Sequence, residues 1–316
     1  MSIRAASVVT RQQQSDAGTI LLSLLAHSGF GLWVVLVKLL LQYLPPFRLS
    51  GLSYTIAVPI TFLIARRYLT WHDFWRADLW LLSGMTMARS VFKLLALQLT
   101  LATYVQLLDL SVPFLAPIVA WALLRERMPA GTLPALAATS LGSFLVITKD
   151  PFDVQLPHGQ TDALGLGFAL VSSAAMATGI VYTRWLTRRK LPSAATFFQP
   201  AVALSVTYWL LSAASGESWR PFGSLALEYW LVYAVYIGIS VIGGGLIQAL
   251  AISRSNASLY ATLLSWRLVV ALIAGWLLVA ERLTTWWQVG GVAIVVLAIT
   301  LYSRRQALHQ PLPRTG

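Results

Sequence analysis

The chain contains no cysteine, which excludes disulfides, thiolate chemistry and Cys-based metal centres together. Charge is scarce as well: 11% of the 316 residues are charged, against 57% hydrophobic. A soluble domain carries about 25% charged residues, so this chain has too little polar surface to face water on all sides. Acidic residues are rarer still, 11 Asp+Glu against 23 Lys+Arg. The four histidines, His27, His72, His158 and His309, are too scattered to form a metal motif. A G-x-x-x-x-G-K-[ST] nucleotide loop is missing, which excludes ATP-driven pumping by this chain. A cleavable signal peptide is not expected either. Residues 1–17 are polar, and the first apolar run, from about Gly18 to Leu44, exceeds a signal core.

Long apolar runs fill the rest, and the bilayer is the solvent they imply. Between charge clusters and helix breakers the sequence predicts ten membrane-spanning helices, at 18–43, 47–65, 78–99, 103–124, 132–148, 163–186, 193–213, 226–252, 256–279 and 285–303. The stretch Asp78–Leu124 is too long for one crossing, so a tight turn is expected near Leu99–Thr103. Pro113 and Pro117 are expected to kink or loosen the fourth span. With the N-terminus in the cytoplasm, fourteen Lys and Arg fall on the cytoplasmic side and four (Arg48, Lys149, Arg220, Arg282) on the other. The net charge of +12 is therefore read as positive-inside bias rather than nucleic-acid binding. Both termini are expected in the cytoplasm, and the protein in the plasma or inner membrane. Most of the 13 tryptophans stand near span ends, as interfacial belts require.

The chain also repeats itself. At an offset of 155, Ala102 meets Ala257, Leu108 meets Leu263, Ile118 meets Ile273, Trp121 meets Trp276, Glu126 meets Glu281 and Arg127 meets Arg282. The halves are then residues 18–148 and 163–303, joined by an extracytoplasmic linker at 149–162, with cytoplasmic tails at 1–17 and 304–316. Five spans per half is an odd number, so the second half enters from the opposite side. Inverted repeats of this kind enclose midplane substrate sites in secondary transporters.

Two segments carry a family likeness: Val112-Pro113-Phe114 through Leu124-Arg125-Glu126-Arg127, and Leu278-Val279-Ala280-Glu281-Arg282. The pattern resembles the EamA-type repeat of the drug/metabolite transporter superfamily, over about residues 18–303. The glycine that usually precedes Glu-Arg is Arg125 in one half and Ala280 in the other, and the ninth span lacks a counterpart of Pro113. The resemblance implies a ten-helix fold that exports amino acids or related carboxylate-bearing metabolites by alternating access, without a cofactor.

Charges within the spans mark the candidate site, because each is costly in lipid and functional by default. Arg89, Lys93 and Arg267 are expected to face a central cavity, with Trp33, Trp266 and Gln248 as further substrate-binding candidates. Lys38 and Asp109 are expected near its outer mouth, in gating or charge pairing. Lys93 and Asp109 stand at similar depth on adjacent helices and are expected close together. A structural pairing of these two, and snorkelling of Lys38 to the headgroups, remain open alternatives. Gln98, Gln106 and Gln199 are further polar candidates. In the outer half, the three cations Lys38, Arg89 and Lys93 against the one carboxylate Asp109 favour an anionic or zwitterionic small-molecule substrate. No catalytic residue and no metal ligand is expected. A membrane-embedded enzyme would need a clustered catalytic set, and a structural or regulatory protein would be the third class. His27, the one histidine within a span, has no acidic neighbour in sequence. The sequence assigns no oligomeric state.

Overall fold

A computed structural model of the chain describes residues 3–67, 74–126, 128, 130–152, 159–188, 195–239 and 266–309. The described residues form helices and connecting turns, with no strand among them. In chain order the helices are α1 (Ile3–Leu40), α2 (Pro46–Ala65), α3 (Ala77–Leu99), α4 (Ala102–Asp109), α5 (Val112–Leu124), α6 (Thr132–Thr148), α7 (Gln160–Arg188), α8 (Ala195–Ala214), α9 (Arg220–Gly223), α10 (Leu227–Ile237), α11 (Trp266–Val279) and α12 (Trp286–His309). Each apolar interval expected from the sequence is mostly helical over its described part, and the fourth is broken at Leu110 and Ser111. The helix that carries the first interval begins at Ile3 rather than near Gly18, and the short α9 was not expected.

Among the described residues, two helical stretches, Leu21–Leu40 and Gln160–Thr183, are long and apolar enough to cross a bilayer. The bent pair α4 and α5 makes a third if it is taken as one span, and four shorter apolar helices stand beside them. The 41° bend has a covalent cause. Pro113 has no N–H to offer the i−4 carbonyl, which is that of Asp109, and its ring would clash there. The helix therefore stops at Asp109 and restarts at Val112.

Long-range packing joins early and late helices. α1 lies on α11 and α10, α7 on α3, α4 and α5, α2 on α8, and α6 on α12. One core gathers Val34, Val35, Leu97, Val105, Tyr208 and Ala271; a second gathers Tyr104, Phe114, Leu268, Val295 and Ile299. Large apolar side chains also cover the outside: Leu123, Leu210 and Leu277 are each more than 60% exposed. Patches of this kind mark contact with lipid or protein rather than water.

Two helix ends share an uncommon geometry. Arg125 (φ 54°) and Ala280 (φ 55°) are both left-handed, and the following N–H groups, of Glu126 and Glu281, donate to Ala120 O and Gly275 O at 3.3 and 3.0 Å. These are the C-terminal closures for which glycine is favoured, since it alone escapes the Cβ clash of that conformation.

Candidate functional site

A cavity with about 720 Å³ of empty space, counted with its opening, lies between α1, α2, α3, α4 and α11. Its polar wall comes from α3, where Thr86, Arg89, Ser90 and Lys93 line it. These positions are i, i+3, i+4 and i+7, one face of a helix. α1 supplies Phe30 and Trp33, α2 Tyr54, α4 Gln106 and Asp109, and α11 Arg267. α1 and α11 come close here because Gly31 has no side chain: a Cβ would meet Arg267 O at 2.6 Å.

The charges are arranged unequally. Lys93 Nζ forms an ion pair with Asp109 Oδ2, with both side chains only 7% exposed. Asp109 Oδ1 also accepts from Ser173 Oγ at 3.3 Å. The Lys93 ammonium stands 4.9 Å from the centroid of the Trp33 ring. Arg267, also buried, donates from Nε to His27 Nδ1 at 2.8 Å and lies 4.3 Å over the Phe30 ring. The guanidinium of Arg89 has neither a hydrogen-bond partner nor an ion-pair partner among the described residues. Ser90 Oγ accepts from Tyr208 Oη at 2.9 Å, which ties the polar face of α3 to α8. Gln106 is 1% exposed, and its Nε2 finds no acceptor among the described residues.

Arg89, Lys93, Arg267, Trp33 and Asp109 are thus gathered around one cavity, as their sequence positions implied. Lys38 and Trp266 are not in its lining. Lys38 Nζ donates to Leu97 O and Thr100 O at 2.7 and 2.8 Å, closing the C-terminal end of α3. Its flexible stem carries the charge to orphan carbonyls instead of to a pore. Trp266 is 39% exposed and donates from Nε1 to Ser28 Oγ at 2.9 Å. Gln248 lies outside the described residues. Of the other glutamines only Gln106 lines the cavity, while Gln98 is exposed and Gln199 donates to Phe74 O at 3.0 Å. The sequence reading missed Tyr54, Thr86 and Ser90, although the i, i+3, i+4, i+7 polar stripe of α3 was there to be read. It also missed His27 as the partner of Arg267, a contact between residues 240 positions apart. Among the described residues no three His, Asp or Glu side chains gather as a metal site requires.

Carboxylates play a different part at the ends of the bundle. Glu281 accepts from the backbone N–H of Ala102 and Thr103 at 2.7 and 3.0 Å, where α4 begins. Glu217 accepts from the N–H of Phe47 and Arg48 at 3.0 and 2.7 Å, in the first turn of α2. Leu101 and Pro45, the residues at those caps, make no side-chain capping bond of their own. Distant carboxylates fill the place that a local Ser or Asp takes elsewhere.

No family model matches the chain, and no curated protein does. A solved crystal structure is similar to it with a TM-score of 0.61 and 18% identity, over 91% of this chain and 96% of the other. At that identity the likeness concerns the fold alone.

Proposed function

We propose that the chain is a gradient-driven transporter of a small carboxylate-bearing metabolite, built of ten spans as two inverted EamA-like repeats with both termini in the cytoplasm. The observation that carries this reading is the buried, charge-lined cavity inside a helical body whose outside is apolar. Intramembrane cations are costly, and those that face a cavity mark substrate or ion paths by default.

The repeat reading has support from packing. With residues 18–148 and 163–303 as halves, exchanging them turns the α1–α11 contact into that of α7 with α4 and α5. The same exchange turns α3–α7 into α10–α1 and leaves α2–α8 and α6–α12 unchanged. Trp121 and Trp276, paired at the offset of 155, are equally exposed at 54%. The left-handed Arg125 and Ala280 are paired by the same offset, as are their closing hydrogen bonds. Substrate would bind between the halves, and alternating access would follow from rocking one half against the other.

Reconstitution into proteoliposomes tests the activity. A radiolabelled carboxylate metabolite accumulates or exchanges faster than in protein-free vesicles, and Arg89→Gln abolishes the difference while the variant remains monodisperse. A panel of carboxylates with no protein-dependent flux in either direction would falsify the transport reading. Reporter fusions at residue 155 and at the C-terminus test the topology. An outside C-terminus, or a cytoplasmic loop at 155, is incompatible with it.

A further inference from the structure

We infer that the cavity selects organic anions that carry a carboxylate and no ammonium group, on an aromatic or apolar body. The inference rests on the cavity being the substrate site of the proposed transporter, and it narrows the substrate to a class that excludes amino acids. The carboxylate Asp109 is already committed, to Lys93 and to Ser173. It is the only carboxylate among the described lining residues. The undescribed stretch 240–265 contains no Asp or Glu at all. A zwitterion would therefore bring its ammonium into a site that holds Arg89, Lys93 and Arg267, with no anion left to receive it. Desolvating an unpaired charge beside like charges is strongly unfavourable.

The complement is present for a carboxylate. Among the described residues the Arg89 guanidinium is unengaged, and it is the fork that matches a carboxylate in bidentate fashion. Gln106, on a helix facing the same space, offers a buried amide N–H with no acceptor among those residues. A native buried donor without a partner calls for a reason, and a substrate oxygen supplies one. Lys93 and Arg267 lie against ring faces and already have polar partners, so they set the field of the site rather than reach for the ligand. Phe30, Trp33, Tyr54 and Ile239 form the wall for the apolar body.

The test uses the purified full-length protein and matched ligand series, read by thermal shift and by isothermal titration. The aromatic series is 3-phenylpropionate, phenylalanine and phenethylamine; the aliphatic one is hexanoate, norleucine and pentylamine. In at least one series the carboxylate is expected to bind about tenfold or more tightly than the amino acid, and the amine not at all. Gln106→Leu and Arg89→Gln each weaken carboxylate binding, and Gln106→Glu inverts the preference toward the amino acid. The inference is overturned if the amino acid binds as well as its carboxylate in both series, or if neither carboxylate binds. A further overturning result is an unchanged preference in folded Gln106→Leu and Gln106→Glu protein. Flux in proteoliposomes is scored separately. Selective binding without flux removes the transport reading and leaves the selectivity of the cavity standing; flux of amino acids without binding of the plain carboxylates does the reverse.

Discussion

Thr103 gives both its backbone N–H and its hydroxyl to one carboxylate oxygen of Glu281, at 3.0 and 2.7 Å. The contact spans 178 residues of sequence and holds the first turn of α4, the helix that presents Gln106 and Asp109 to the cavity. Removing the carboxylate leaves orphan N–H groups at a buried helix start. Glu281→Ala is expected to lower stability by about 1–2 kcal/mol, the scale of a lost helix cap. Thermal unfolding of the purified variant in detergent checks it, with Glu281→Gln retaining part of the loss. An unchanged melting temperature would remove the cap from the account of how α4 is held.

Ala280 is held left-handed at φ 55°, a conformation that costs a residue with a Cβ about 1–2 kcal/mol. Ala280→Gly relieves this and is expected to raise the melting temperature, although the more flexible unfolded chain takes back part of the gain. A lower melting temperature for Ala280→Gly would contradict the assignment of strain to this turn.

Gly142 and Gly291 meet backbone to backbone where α6 crosses α12. A Cβ on Gly142 would stand 2.7 Å from Gly291 O, and one on Gly291 would stand 2.5 Å from Gly142 O. Gly142→Leu forces the helices apart and is expected to cost about 1–3 kcal/mol. Gly84→Ala is the control, since a Cβ there meets nothing within 4 Å. Comparable losses from both substitutions would refute a packing role specific to this crossing.

Lys93 and Asp109 are buried as a pair, and breaking such a pair costs about 3–5 kcal/mol because one charge is left uncompensated. Asp109→Asn is expected to show a loss of that order in melting or in yield of monodisperse protein. The double variant Lys93→Met, Asp109→Leu should recover most of it, as no charge is stranded. If the double variant is no better than Asp109→Asn, charge pairing is not what the two residues contribute.

The helices were legible in the chain because apolar runs bounded by Arg, Lys and Pro leave few alternatives. The break after Asp109 was foreshadowed by Pro113, whose missing N–H acts locally. The pairing of Lys93 with Asp109 was also within reach, since both stand near the same turn and helical rise sets their depth. The partners of Lys38 were not legible, for a physical reason. A long side chain reaches several orphan acceptors, and sequence does not say that Leu97 O and Thr100 O stand nearest. The bond of Trp266 to Ser28 was not legible either, because nothing local tells which way a tryptophan faces on an apolar helix.

Composition and periodicity by themselves determined that this chain is a helical body suited to lipid, with a few ionisable residues set deep in apolar runs. Those are local quantities, summed residue by residue. Only the tertiary structure decided which charges are already satisfied. His27 beside Arg267, Glu281 on the start of α4, and the Arg89 guanidinium and Gln106 Nε2, which find no partner among the described residues, depend on contacts between distant segments, and such contacts are fixed by packing and hydrogen-bond geometry rather than by neighbours in the chain.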